Sequence, residues 1–408
     1  MKLILAGLVI AALVAGSYAS SQRFDTKLRS IVRPQLFSIV GWEAREMARE
    51  FQRLVAGRPK ADNETRRVIE HFSASKKVRE LKSEVEAAIA TNRGAEAASL
   101  EAELGKLEKQ RAASAEVVER IIEKQIRETL AEQGIYNPLV NLRFGFPPVN
   151  FKLQEPPYLL VVSPRDRIES IRTLTLKSGM AVSKMEAIEG EVDKLNVSSL
   201  VVGLSGLGAT YPTIVTDEYS LRNTLDAASE EWVHQYLTFK PLGFRYVLSL
   251  TGISRNYEIG RMNETVAGMV AKEIASMVYQ KYYAASEEVA GPKETGEPKF
   301  DFNREMRDIR KAVDLYLSRG EVEKAEQFMK DKQQYLALQG YHIRKLNQAY
   351  FAFHGAYGDS PTSIDPIGVE MKELRRQSAS LKDFLNTAAG MTSRQDLIGT
   401  IKEKAASR

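Results

Sequence analysis

Apolar and polar positions change their period twice along the chain, and those changes divide it. Leu3 to Gly16 is an unbroken run of apolar and small residues behind a single Lys2. Ser17-Tyr18-Ala19 offers a small-x-small site at which a signal peptide would be removed. If retained, Leu3–Ala19 just reaches the roughly 17 residues a membrane span requires. Arg23, Lys27 and Arg29 follow at once, and the positive-inside rule favours them on the cytoplasmic side. A buried N-terminal helix is the plainer reading of the same run. Next, Phe37, Val40, Trp42, Met47, Phe51 and Leu54 keep helical spacing until Gly57-Arg58-Pro59 breaks it. Between Lys76 and Glu132 two apolar stripes follow: Val78, Leu81, Val85 and Ile89, then Leu100, Leu104, Leu107, Val117, Ile121 and Ile126. Thr91-Asn92-Arg93-Gly94 between them is a turn, so the spacing predicts a long antiparallel hairpin of coiled-coil type. Such a hairpin serves either as a spacer or dimerisation arm that makes a homo-oligomer, or as a buttress on the core.

Pro138, Pro147-Pro148 and Pro156-Pro157 then interrupt any helix. Beyond them the period becomes that of strands. Tyr158–Val162 reads as a buried strand, Ile171–Leu176 alternates, and Ser199–Leu204 and Ala209–Val215 add two more. Met185 to Leu195 is helical. Ser205-Gly206-Leu207-Gly208 reads as a tight turn, since it lacks the lysine and the following helix of a phosphate loop. Helical spacing returns after Asp217 and Ser220, either of which can cap the helix carrying Leu221, Leu225, Ala228 and Trp232. Pro241 and Gly243 are expected to end it. Arg261 to Tyr283 is a second helix, Glu287 to Arg304 a charged linker, and Met306–Tyr335, His342–Phe353 and Leu374–Leu385 further helices.

The expected fold is therefore α+β and predominantly helical: a small mixed or antiparallel sheet beside a helix pair, a long helical hairpin, and C-terminal helices. The expected organisation is residues 1–22 as anchor or signal peptide, 23–134 helical, 135–285 the α+β core, 286–304 linker, and 305–408 C-terminal helices.

The 408 residues are 43% hydrophobic and 27% charged, enough for at least one sizeable core and unlike a disordered chain. The net charge of +5 is spread among interleaved acids and bases, so no nucleic-acid footprint is expected. The absence of cysteine excludes disulfides, thiolate catalysis and cysteine-ligated zinc or iron–sulfur centres.

The candidate chemistry lies in Glu230-Glu231-Trp232-Val233-His234, which holds one of only four histidines. Glu230 and His234 are four apart and project from one helix face, with Glu231 near the same edge. Met262-Asn263-Glu264 brings a third carboxylate on another helix. Its face, with Gly268, Ala271 and Ala275, is small enough for close approach. One imidazole, two carboxylates and a spare carboxylate suit a divalent metal with an attached base. The plainer readings are a solvated acidic face for Glu230-Glu231 and a helix-start charge for Glu264.

The spacing is that of H-E-x-x-H with the first histidine replaced by Glu230. Asn263-Glu264 resembles the N-E motif of gluzincin metallopeptidases. Glu231–Leu237, Pro241-Leu242-Gly243, Asn263–Ala267 and Asn347–Ala352 together resemble a bacterial group of membrane-anchored metalloproteases, over roughly Tyr211 to Gly368. The resemblance implies a zincin-like core and hydrolysis of a peptide or protein substrate through an activated water. Glu230, His234 and Glu264 would be the ligands and Glu231 the base. It implies a single-pass N-terminal anchor with the main domain extracytoplasmic. The ion would be Zn2+, with Mn2+ or Fe2+ accommodated by the oxygen-rich set. Tyr350, His354 and Tyr357 share a helix face and would be candidates for stabilising the oxyanion; aromatic core packing is the alternative. Two departures stand out, Glu230 itself and Gly268, where gluzincins place an orienting Asp. They leave open a protease-like scaffold or binding protein without catalysis, or a coiled-coil envelope protein unrelated to proteolysis.

Overall fold

A computed structural model describes residues 23–39, 41–42, 46, 63–90, 94–139, 143–207, 210–217, 220–250, 256–285, 300–355 and 365–406. The apolar Leu3–Ala19 run, the Gly57-Arg58-Pro59 break, most of the 286–304 linker and Tyr357 lie outside them. Among the described residues no helix is long and apolar enough to cross a membrane.

The chain forms two compact units, each assembled from three separate stretches. One takes Met1–Ser38, Pro157–Gly203 and Asp308–Phe353; the other takes Ile39–Pro156, Leu204–Arg307 and His354–Arg408. After a short helix over residues 23–32 come, in chain order, α1 (Glu64–Ala90), α2 (Gly94–Glu132), β1 (Phe151–Leu153), β2 (Tyr158–Pro164), β3 (Arg172–Leu176), α3 (Val182–Asp193) and β4 (Val197–Gly203). Then follow β5 (Gly206–Leu207), β6 (Thr213–Val215), α4 (Leu221–Thr238), α5 (Pro241–Leu250) and α6 (Tyr257–Tyr283). The last are α7 (Phe302–Ser318), α8 (Val322–Leu338), α9 (Gln348–His354), α10 (Pro366–Gln377), α11 (Leu381–Ala389) and α12 (Arg394–Ala406). The architecture is α+β and predominantly helical, with two three-stranded sheets.

The smaller unit explains the buried strand. β2 is the central strand of an antiparallel sheet ordered β3-β2-β4. Leu160 and Val162 pack with Met185, Ile188 and Val192 of α3 and with Leu28 and Val32 of a helix over residues 23–32. Val161 and Leu200 face the other way, onto Ala349 of α9. Both faces are covered, so the run needs no alternation.

In the larger unit α1 and α2 form the expected antiparallel hairpin. Lys124 meets Glu64, His71 meets Ser114, and Lys82 meets Glu108. Its base is a buttress: Val68, Phe72, Val118, Ile122 and Ile126 belong to the main core with α4, α6 and the C-terminal helices. Each such side chain contributes roughly 1.5–3 kcal/mol of burial. Asp217 does not cap α4. It accepts a hydrogen bond from His71 Nε2 at 3.0 Å and tethers the hairpin to the loop ahead of α4. Ser220 is the cap, accepting from Asn223 N–H at 3.3 Å.

The helix ahead of Pro241 and Gly243 ends as expected, α4 stopping at Thr238; Pro241 then opens a further helix, α5, where proline's missing N–H costs nothing. The Ser205–Gly208 turn includes strand β5, at the edge of a sheet ordered β1-β6-β5, antiparallel to β6 at Gly206↔Val215 and Leu207↔Ile214.

A candidate metal centre on two helices

α4 and α6 pack against each other, and Leu225, Ala228 and Val233 of the first and Ala267, Val270 and Ile274 of the second are buried in one core. Small residues at this seam let the two backbones approach closely. Asn256 caps α6, its Oδ1 accepting from Ile259 N–H at 3.1 Å, so Glu264 stands two turns inside the helix and has no capping role.

Ligand atoms of Glu230, His234 and Glu264 all lie within 4.8 Å of one another. His234 Nε2 and Glu264 Oε2 are 3.5 Å apart. Two ligands of a tetrahedral ion with bonds of ~2.1 Å take a separation of about 3.4 Å. The other ring nitrogen is occupied: Nδ1 donates to Asn263 Oδ1 at 2.8 Å. That bond orients the ring and turns Nε2 toward the carboxylates, where it would ligate an ion once deprotonated. Asn263, fully buried, thus supplies the orientation that Gly268 cannot.

The donor set fits a divalent cation on two counts. Glu230 Oε1 is buried without a hydrogen-bond partner, an arrangement costly for a carboxylate unless a ligand satisfies it. The charges are also out of balance. Burial pushes the Glu230 carboxyl up to about 8; His234 opposes this, while Glu231 and Glu264 reinforce it. Burial alone would lower His234, but Glu264, Glu231 and Glu230 outweigh it and raise the imidazole to about 10. Three carboxylates thus crowd one imidazole, and without an ion the crowding is relieved by protons held on Glu230 and on the His234 ring.

Two further residues shape the site: Tyr246, which the sequence reading passed over, and Gly206, which it placed only in a turn. Tyr246 of α5 donates its hydroxyl to Glu264 Oε1. Its ring stacks on the His234 imidazole, with centroids 6.1 Å apart and planes 25° apart. Burial and the neighbouring Glu264 hold its phenol well above the ordinary range, so it remains a donor. Gly243 puts it there: a Cβ at that position would stand 2.2 Å from the Leu237 carbonyl. Only glycine lets α5 fold back so tightly on the end of α4. Gly206 is the second case. A Cβ there would lie 2.5 Å from Glu231 Oε1, so edge strand β5 crosses directly over the candidate base. A proline read as a helix start would have revealed α5, and with it Tyr246; the crossing of β5 left no local signal.

Tyr350 belongs to the smaller unit, where it packs with Val161 and Leu200, and burial lifts its phenol to about 12. His354 is partly buried, its imidazole lowered by burial to about 4, and it is outside the ligand group. Comparison with family models, with curated proteins and with solved structures finds no match to this chain.

Proposed function

We propose that this chain is a membrane-associated, metal-dependent peptidase with a zincin-like site. The observation that carries the reading is the convergence of Glu230, His234 and Glu264 from two helices, with a buried Glu230 oxygen left for a ligand. Those three side chains would hold a divalent cation, Zn2+ or, given two carboxylates, Mn2+ or Fe2+. Such an ion, when bound, polarises a peptide carbonyl and acidifies water.

The chain's own residues have the remaining work. Glu231 takes the proton of the attacking water and returns it to the leaving amine. Asn263 holds the His234 ring. Tyr246 keeps Glu264 in place and presents a phenolic donor beside the imidazole. An extended peptide that adds to edge strand β5 would run past Gly206 and so past Glu231. The Leu3–Ala19 segment would anchor the chain, with the units extracytoplasmic. Glu230 in place of the usual histidine favours a second reading, a protease-like scaffold that binds without cleaving.

Zinc titration of the purified chain, with a quenched peptide library as substrate, distinguishes them. Glu231→Gln should keep the metal and lose hydrolysis, because only the proton carrier is removed. His234→Ala or Glu264→Ala should lose the metal. If neither wild type nor Glu230→His takes up a divalent ion, the peptidase reading fails and the scaffold stands.

A further inference from the structure

Two stretches of the larger unit, residues 133–154 and 232–257, contain no aspartate or glutamate, although the chain as a whole carries 53 such residues. The structure joins them. Trp232 Nε1 donates to Pro147 O at 2.8 Å, and the Phe146 and Phe239 rings pack with centroids 5.1 Å apart. Around this junction Leu139, Phe144, Phe239 and Phe244 are 43–59% exposed. Arg143 and Arg245 are exposed and Lys240 half-buried, and none of the three has an ion pair among the described residues. Some cations elsewhere are matched by acids, as Arg165 is by Glu326 and Arg394 by Glu370.

We propose that this surface docks on a bilayer containing anionic phospholipid. Single exposed apolar side chains are ordinary, but four of them on two joined acid-free stretches, interspersed with cations that have no ion pair among the described residues, match a lipid interface. Phenyl rings enter the headgroup region while Arg143, Lys240 and Arg245 meet phosphates, each cation strengthening binding about fivefold. A second copy of the chain would bring the same cations together, and their repulsion disfavours it. The inference is independent of the metal and of the N-terminal segment.

The chain has no cysteine, so single labels can be placed in the full-length protein. Phe244→Cys and Phe144→Cys carrying the fluorophore NBD are mixed with vesicles of phosphatidylcholine and phosphatidylglycerol (70:30). The exposed Lys402→Cys is the control. Both loop labels should shift to the blue and be quenched by spin-labelled lipid, while the control stays aqueous. Adding R143E, K240E and R245E should weaken the loop signal on the order of a hundredfold. Labels that stay aqueous while the chain sediments with the vesicles would overturn the proposal, since another segment then does the tethering. A blue shift without vesicles that grows with protein concentration would assign the surface to a second copy and overturn it equally.

Discussion

Asn263 and His234 meet through Oδ1 and Nδ1 at 2.8 Å, while Glu264, the next residue, faces the other nitrogen of the same ring. One dipeptide of α6 therefore addresses both sides of a single imidazole on α4. Asn263→Ala removes the orienting acceptor without touching a ligand. Zinc affinity is expected to fall 10–100-fold, while Asn263→Asp, which keeps an acceptor, should retain most of it. Competition titration against a chromophoric chelator measures both.

Glu230→His restores a second imidazole at the i, i+4 position. It replaces a carboxyl that burial holds protonated up to about pH 8 with a neutral ligand. Zinc should bind more tightly than in wild type, and manganese should gain little. Weaker zinc binding in Glu230→His would mean that Glu230 is already the fitted ligand.

The metal-free protein should lose stability as pH rises. Glu230 and His234 both bind their protons more tightly folded than unfolded, at about 8 against 4.5 and about 10 against 6.5. Their contribution is complete below the unfolded values and is lost as pH climbs through the folded ones. The slope is at most ~1.4 kcal/mol per pH unit for each group. Thermal melts in chelator between pH 5 and 10 should show a falling Tm, and Glu230→Gln should flatten the part below about pH 8.

The two glycines that shape the site should fail differently. At Gly243 an added Cβ meets backbone, the carbonyl of Leu237 at 2.2 Å, which no rotamer change relieves. Gly243→Ala should cost about 3 kcal/mol or more and lower Tm accordingly. At Gly206 the obstacle is the far end of the Glu231 side chain. Gly206→Ala should melt close to wild type and keep its metal, yet lose hydrolysis because the base is pushed aside. Equal Tm losses in the two variants would contradict this.

Tyr246→Phe deletes one hydroxyl and keeps the ring on His234. Glu264 then loses its donor, so activity should fall at least tenfold with the fold intact. Circular dichroism alongside peptide hydrolysis gives the comparison.

Periodicity made the repeated elements legible. The α1–α2 hairpin, strands β2, β3 and β4, and helices α4 and α6 follow from spacing because each buries a regular stripe or a continuous run. The i, i+4 relation of Glu230 and His234 was legible for the same reason. What spacing could not convey is contact between segments distant in sequence. Tyr246 reaches Glu264 only through the Gly243 fold-back, and β5 reaches Glu231 only through pairing with β6. Pro241 marked the end of α4 correctly, but a proline can also start a helix, and that second role went unread.

The interleaving of the two units sets a timetable for synthesis. Each draws its final stretch from beyond residue 307, so neither can close while the ribosome still holds the last quarter of the chain. The helix pair bearing Glu230 and Glu264 emerges well before the α10–α12 residues that complete its core, such as Met371, Leu374 and Phe384. Until then its apolar face is open, and a chaperone would meet a helix pair whose core is half built.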